Sequence, residues 1–297
     1  VPGASNHPGG GRPNLAHLLV GSEGTLAFST RVHLGLHRVP KHKVLGICHF
    51  PTFYSAMEST QHIVKLGPAA VELVDRNMMD LARDIPMFRP TIEKFVQGEP
   101  DSLLLVEFAG DELEPQLAKL KELGALMSDL GYPNAVVEAT TGADQSEFWN
   151  VRKSGLNIMM SMKGDGKPIS FIEDCAVPLE DLAEYTDRLT NVFTKYGTKG
   201  TWYAHASVGC LHVRPIVNLK VEDGAKTMRA IAEEAFEMVR EYKGSHSGEH
   251  GDGIVRSEFH RPMFGDRMVA NFEEVKDIFD PDGILNPGKI VHPPKFD

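Results

Sequence analysis

The order of apolar segments constrains the fold of this chain more than any other feature of the sequence. Short runs rich in branched and aromatic residues, which are typical of strands, alternate with longer segments whose apolar residues recur at helical spacing. The first half contains predicted strands over 44–50, 70–74, 102–108 and 135–139, and predicted helices over 52–66, 75–82 and 112–130. This strand–helix–strand order predicts an α+β fold, in which a large antiparallel sheet carries helices on one face.

The second half repeats the plan, so we predict two ferredoxin-like halves. Its predicted strands cover 169–176, 201–206 and 211–216, and its predicted helices cover 144–162, 179–196, 221–242 and 267–279. Ahead of the first strand, residues 15–20 are predicted to form a buried segment that enters a glycine-rich turn and a further strand. The opening residues, rich in glycine and proline and without an initiator Met, are interpreted as a loop in a chain cut from a longer protein.

Composition excludes some classes of function. The net charge of −10 over 297 residues argues against non-specific binding to nucleic acid, which requires a basic surface. No apolar run approaches the roughly 18 residues of a membrane-spanning helix, so no integral membrane segment is predicted. Cys48, Cys175 and Cys210 are odd in number and widely spaced, which favours three buried thiols in a reducing, cytoplasmic compartment.

Two histidines, His205 and His212, lie seven positions apart on either side of a glycine. Residues at an odd offset on one strand point to opposite faces, so the imidazoles can converge only if the chain turns at Gly209. A carboxylate from elsewhere would complete a three-ligand metal site with open positions, as catalytic metal sites have. Candidates lie in Ser245–Gly253, which combines two acidic residues, two histidines and three glycines. The alternative is a polar surface loop with scattered histidines.

Four blocks occur in the order found in one known family. They are Val20–Leu26, His205–His212, Gly248–Gly253 and Asp280–Lys289. With them the sequence resembles FAD-linked oxidases of the vanillyl-alcohol-oxidase type, in particular the branch of D-lactate and D-2-hydroxyglutarate dehydrogenases. The nearest resemblance is to bacterial members fused to an iron–sulfur region, although this chain has no cysteine-rich segment.

The resemblance implies a metal site and a base. His205, His212 and Glu249 correspond to ligands of a divalent metal, for which imidazole and carboxylate donors allow Zn, Mn, Fe or Co. His250 corresponds to the base that takes the proton of the substrate hydroxyl. His246 is interpreted either as a neighbour of this site or, preferably, as an exposed residue.

The resemblance also implies substrate contacts. Arg152 and Lys167 correspond to residues that bind carboxylates, with solvated surface charges as the alternative. Arg214 stands where relatives often have an asparagine near substrate, and Leu156 stands where some have a hydroxyl residue. An added cation at Arg214 would favour a dicarboxylate such as D-2-hydroxyglutarate over D-lactate; a surface arginine is the equally weighted alternative.

For the cofactor, the resemblance implies FAD with most of its site upstream of Val1, so the chain alone is expected to bind FAD poorly. The implied contacts within this chain are Gly21, Ser22, Gly24, Thr25 and Asn286. Residues 1–40 are predicted to be a remnant of the FAD-binding domain and residues 41–280 a substrate-binding cap domain. Residues 281–297 are predicted to be a tail that returns toward the FAD side.

The implied activity is oxidation of a 2-hydroxyacid to a 2-oxoacid, with hydride transfer to FAD. Electrons would pass to an acceptor or an iron–sulfur partner region, in the cytoplasm or at the membrane periphery, and the protein could form a homodimer. The competing hypothesis is a non-catalytic module that binds a metal or an organic acid, or a subunit that lacks its flavin half.

Overall fold

The structure is a computed structural model that describes residues 14–297, so the opening loop predicted from the sequence lies outside the described residues. The described chain divides into two compact units, one of residues 38–246 and one of residues 14–37 and 247–297. The strands are β1 His42–Phe50, β2 Ala70–Asp75, β3 Ser102–Gly110, β4 Val136–Ala139, β5 Lys167–Pro168, β6 Cys175–Ala176, β7 Gly200–His205 and β8 Cys210–Val217. The helices are α1 Ala16–Leu19, α2 Phe53–Ile63, α3 Arg76–Asp84, α4 Arg89–Phe95, α5 Leu113–Asp129, α6 Gly142–Lys153, α7 Gly155–Met160, α8 Leu182–Lys195, α9 Gly224–Glu241, α10 Gly253–Ser257, α11 His260–Phe264 and α12 Asp266–Phe279.

One antiparallel sheet organises the unit of residues 38–246. Its strand order is β4-β1-β3-β2-β7-β8-β5, with β6 also paired to β8. The first half, β1-α2-β2-β3-α5-β4, has the order 4-1-3-2 of a ferredoxin-like unit. The second half repeats this order with β6, β7, β8 and a single bridge between Ala176 and Ser245 in place of a fourth strand. The two halves join edge to edge where β2 pairs with β7.

Helices lie on both faces of this sheet. Gly46 of β1 faces α5 so closely that an added Cβ would lie 2.6 Å from Cδ2 of Leu123. The adjacent Ile47 points to the other face, because successive strand residues alternate, and joins a buried cluster with Ile92 of α4 and Phe148 of α6. The predicted antiparallel sheet with helices is confirmed. The prediction that helices cover only one face is wrong, because α3, α4 and α6 pack on the other face.

Two segments differ from the elements predicted for them. The single helix predicted over 144–162 is two helices that meet at Ser154. Gly155 lies against Met78, and an added Cβ would approach its sulfur to 2.9 Å. The strand predicted over 169–176 is wrong except at its end, since Asp174 has a φ of 82° and left-handed backbone cannot continue a ladder.

The short helix α4 has no counterpart among the predicted elements. It is seven residues long and has proline in its first turn, where proline is well tolerated because that N–H has no partner within the helix. Seven residues are two turns, which is too short for the 3.6-residue period to stand out in a sequence.

The second unit combines the N-terminal segment with the C-terminal residues. A buried lysine on α12, Lys276, donates from Nζ to the carbonyls of Thr25 and Leu285 and to the carboxylate of Asp280. These bonds tie the segment after α1 to the tail after α12. Residues 247–280, which the sequence placed in the cap domain, belong to this unit.

The segment predicted to be buried at residues 15–20 is not buried. It forms the short helix α1, in which no residue is buried, and Val20 after it is 80% exposed. The strand predicted to follow it is also absent from residues 21–40. Among residues 14–297, no helix combines the length and apolar character needed to cross a membrane.

Candidate active site

The hairpin of β7 and β8 brings the two predicted histidines together. His205 ends β7, a 3₁₀ turn follows, and Gly209 with a φ of 67° reverses the chain into β8. A side chain at Gly209 is excluded, because a Cβ there would lie 2.1 Å from the Val177 carbonyl oxygen. The rings of His205 and His212 stand perpendicular with their centroids 4.9 Å apart. The turn inferred from the odd spacing is therefore present.

A buried glutamate on the neighbouring strand orients the first histidine. Glu72 pairs with His205 across β2 and β7, and its Oε1 lies 2.8 Å from His205 Nδ1. A proton held at Nδ1 by this carboxylate places the lone pair of the ring, which a metal would bind, on Nε2. Metal-binding histidines are commonly held in this way by a carboxylate. Glu72 was missed in the sequence, although an acidic residue inside an otherwise apolar strand is a signal that could have found it.

The same glutamate binds Arg152, the first of the arginines predicted to contact the substrate. Arg152 on α6 donates from Nη2 to Glu72 Oε2 at 2.6 Å, and its guanidinium lies over the Tyr203 ring, 4.8 Å from the centroid. Arg152 is buried, and its Nε has no hydrogen-bond partner among the described residues. A solvated surface position for Arg152 is therefore wrong. A buried cation with an unused donor suits an incoming anion.

Arg214 is not a solvated surface residue either, since its side chain is only 12% exposed. It follows His212 by two positions on β8, so both side chains share one face of the sheet. Arg214 pairs with Glu173 at 2.6 Å, and its Nε has no hydrogen-bond partner in the described part of the chain. Tyr203 lies near both arginines; burial raises the pKa of its hydroxyl, while Arg214 and Arg152 oppose that rise. The surface-arginine alternative is wrong for this residue.

Lys167 lies apart from these contacts. It is half-buried on β5 and donates from Nζ to the Met162 carbonyl at 2.5 Å. Its ammonium therefore holds the loop after α7 in this structure. Leu156 on α7 is 41% exposed, so it does not fill a core position.

The loop of Gly248–Gly253 belongs to the second unit and is fixed there by Glu23. The Glu23 carboxylate accepts from the backbone N–H groups of Asp252, at 2.6 Å, and Gly253, at 3.0 Å. Within the loop, Glu249 Oε1 and His250 Nε2 are 3.4 Å apart, and both side chains are exposed by about two-fifths. Glu23 was predicted only as part of a glycine turn, so its role as the anchor of this loop was missed.

The residues predicted to contact FAD form a tight turn in the same unit. Gly21 and Gly24 have positive φ, and Thr25 Oγ1 donates to the Ser22 carbonyl at 2.7 Å. Asn286 Nδ2 donates to the Glu23 carbonyl at 2.7 Å. These polar groups hold the turn and the tail together, and their contact with a flavin stays a prediction.

The burial of His246 contradicts the sequence-based interpretation, which preferred an exposed position for this residue. It is fully buried in the unit of residues 38–246, where its ring stands edge-on to Phe236 with centroids 5.5 Å apart. The bridge between Ala176 and Ser245 holds the adjacent backbone. His246 is a packed residue of the second ferredoxin-like half.

Comparison with known families identifies the fold that carries these residues. The model of the family described as FAD linked oxidases, C-terminal domain, matches residues 39–290. The chain belongs to this family. The resemblance stated from the four sequence blocks is confirmed.

Curated relatives cover nearly the whole chain. D-2-hydroxyglutarate dehydrogenase of Escherichia coli (strain K12) is 32% identical over 295 residues, which are 96% of this chain and 29% of that protein. D-lactate dehydrogenase of Archaeoglobus fulgidus is 30% identical over 280 residues, which are 94% of this chain and 58% of that protein. The chain thus spans about three-tenths of the length of the first relative and less than two-thirds of the second.

Solved structures share the fold at lower identity. A 4-ethylphenol oxidase from Gulosibacter chungangensis has a TM-score of 0.62 at 15% identity, covering 88% of this chain and 56% of that one. An alkyldihydroxyacetonephosphate synthase has a TM-score of 0.60 at 17% identity, covering 92% of this chain and 49% of that one. At these identities the likeness concerns the fold alone.

Proposed function

We propose that this chain is the substrate-binding part of a FAD-dependent, metal-assisted D-2-hydroxyacid dehydrogenase. The observation that carries the proposal is the Glu72 carboxylate, which bonds to both His205 and Arg152. One buried carboxylate thereby orients a proposed metal ligand, His205, and a proposed carboxylate-binding cation, Arg152. A 2-hydroxyacid presents a hydroxyl and a carboxylate on neighbouring carbons, so it needs both kinds of group close together.

In this proposal the metal is held by His205, His212 and Glu249. The donor set fits a divalent cation, because His205 already has its Nδ1 hydrogen-bonded to a carboxylate, an arrangement common among metal-binding histidines. When bound, the cation would lower the pKa of the substrate hydroxyl, as it does for bound water. Imidazole and carboxylate donors suit Zn, Mn, Fe or Co.

The arginines are proposed to bind and orient the substrate. Each side chain is no more than 12% exposed and has an Nε donor left over after its ion pair. Planar guanidinium groups bind carboxylates through two parallel hydrogen bonds. Two such groups, Arg152 and Arg214, favour a dicarboxylate, so we propose D-2-hydroxyglutarate ahead of D-lactate. Lys167 could bind a substrate carboxylate only if its ammonium left the Met162 carbonyl.

The remaining chemistry falls to His250 and to FAD. We propose that the His250 imidazole accepts the hydroxyl proton, which a neutral imidazole can do near neutral pH. FAD, when bound, would supply the acceptor for the hydride on C2, which no side chain can provide. The turn of Gly21, Ser22, Gly24 and Thr25, with Asn286, would supply part of the flavin site, and the electrons would pass on to a separate acceptor.

Turnover of D-2-hydroxyglutarate by the full-length, flavin-loaded protein with an artificial electron acceptor tests this function. We expect activity that a chelator abolishes and added divalent metal restores. Activity that survives complete metal removal would refute the metal-assisted mechanism. Absence of turnover with D-2-hydroxyglutarate, D-lactate and other 2-hydroxyacids would refute the dehydrogenase assignment.

A further inference from the structure

A thiol and a second carboxylate lie beside His212, within the unit of residues 38–246. Cys210 precedes His212 by two positions on β8, so the two side chains share one face of the sheet. Asp174, Cys210 and His212 each offer a ligand atom within 4.8 Å of the other two, and all three residues are buried. The three donors have different chemistry, and Asp174 comes from a different part of the chain.

We propose that Cys210 and Asp174, together with His212, bind a thiophilic divalent cation such as Zn²⁺. The proposal deepens the proposed function, because it adds a thiolate and a carboxylate to the metal site that includes His212. The implied ligands of that site, His205, His212 and Glu249, contain no sulfur. A cysteine ligand would change which metal the protein selects.

The backbone holds Asp174 in place for this role. Its N–H donates to the Leu211 carbonyl at 2.6 Å, which fixes the residue beside the part of β8 that carries Cys210 and His212. Its φ of 82° lies in the left-handed region, which a residue other than glycine seldom adopts. Such conformations persist where the surroundings enforce them, and they cluster at functional sites.

The separations fit a tetrahedral cation after small side-chain rotations. Zn–S distances of about 2.3 Å and Zn–N or Zn–O distances of about 2.0–2.2 Å place neighbouring ligand atoms about 3.5 Å apart. The Cys210 sulfur already lies 3.5 Å from Asp174 Oδ1, to which the thiol donates. On metal binding, the Cys210 thiol releases its proton to solvent, and the resulting thiolate bonds to the cation.

The donor set determines the expected metal preference. A thiolate, an imidazole and a carboxylate favour Zn²⁺ and Co²⁺ over Mg²⁺ and Ca²⁺, which prefer oxygen donors alone. The burial of all three groups keeps water from competing for the cation. The site should therefore retain Zn²⁺ in the presence of excess Mg²⁺.

Absorption spectroscopy of the metal-free full-length protein titrated with Co²⁺ tests the proposal. A thiolate ligand produces a charge-transfer band in the near ultraviolet, which imidazole and carboxylate ligands do not. We expect this band in the wild type and its loss in Cys210→Ser. The matched control is Cys48→Ser, because Cys48 is also buried but lies on β1; it should keep the band. Asp174→Asn should keep the thiolate band and weaken Co²⁺ binding at least tenfold.

The outcomes separate this proposal from the proposed function. Co²⁺ that binds without a thiolate band, and restores turnover, would overturn the role of Cys210 and leave the metal-assisted dehydrogenase intact. A thiolate band in a protein that turns over no 2-hydroxyacid would support the site and refute the dehydrogenase. If circular dichroism showed that Cys210→Ser does not fold, the Co²⁺ band of the wild type and the Co²⁺ affinity of Asp174→Asn would test the proposal instead. Absence of the band in the wild type would overturn it.

Discussion

Two regions of one sheet face differ sharply in chemistry, although they are continuous. Cross-strand pairs define a single row of residues across the sheet, Ile47 with Leu105, Leu105 with Glu72, Glu72 with His205 and His205 with Cys210. Directly paired residues point to the same face. The row is therefore apolar on β1 and β3 and turns polar at β2, where the two ferredoxin-like halves meet.

The difference shows that one part of the sheet stabilises the fold while another part carries the groups suited to binding and chemistry. On β1 and β3 the row packs into a buried cluster with α4 and α6. At β2, β7 and β8 the same positions carry groups that are costly to bury unless they are paired. Glu72 is paired with His205 and Arg152, and the Nε donor of Arg152 has no hydrogen-bond partner among the described residues.

The largest effect is expected from a cavity in the apolar region. Leu105→Ala removes a fully buried side chain from the cluster and should lower the free energy of unfolding by about 2–5 kcal/mol. Urea unfolding followed by circular dichroism measures this loss. The affinity of the folded variant for Co²⁺ should stay unchanged, and a tenfold weakening would mean that the two regions are not independent.

Glu72→Gln should act on the polar region. The amide keeps the shape of the side chain but loses the charge that orients His205 and binds Arg152. Metal affinity, measured by competition with a chelator, should fall about 10- to 100-fold, and the KM for the hydroxyacid should rise.

The control for Glu72→Gln is Glu107→Gln. Glu107 is equally buried, pairs with Lys43 and Trp149, and lies on the same face of the sheet. Its substitution should leave metal affinity unchanged. Equal losses in the two variants would show that Glu72 acts through stability alone.

Arg214→Gln should change selectivity between acids. Loss of a guanidinium at the second carboxylate should raise the KM for D-2-hydroxyglutarate by about tenfold or more, since a hydrogen bond to a charged group contributes about 1.5–3 kcal/mol. The KM for D-lactate, which has no second carboxylate, should change little. The double variant Arg214→Gln/Glu173→Gln removes the buried partner charge as well; if it restored the original selectivity, Arg214 would have no role in binding the acid.

The smallest effect is a pH dependence of stability within the apolar region. His49 on β1 is buried, and burial lowers its pKa below the ordinary value of 6.5. Its Nε2 accepts from the Gln97 N–H at 3.0 Å. The folded state favours the neutral ring, so this stabilisation is complete above about pH 6.5 and is lost as the pH falls toward the folded pKa.

Denaturant unfolding at a series of pH values measures this effect. The wild type should lose more stability on acidification than His49→Gln does. His42→Gln, at the exposed start of the same strand, should behave like the wild type. Parallel curves for the wild type and His49→Gln would contradict the assignment.

Much of the fold follows from local pattern. The strands near 44–50 and 102–108 and the helices near 112–130 and 221–242 occur close to their predicted bounds, because apolar periodicity reflects which side of an element is buried. The turn at Gly209 also follows, since two histidines at an odd offset require it. Patterns failed where elements are short, as in α4, or where a single residue such as Asp174 interrupts a strand.

The sequence by itself determined the family, the two repeated halves and the residue types available for chemistry. The tertiary structure decided which of them meet. Glu72, 133 positions before His205 in the chain, lies 2.8 Å from it, and the side chains of Arg152 and Arg214 are only 10% and 12% exposed. The physical reason is that periodicity records the burial of one element at a time. Cross-strand register and the pairing of buried charges depend on contacts between residues far apart in the sequence.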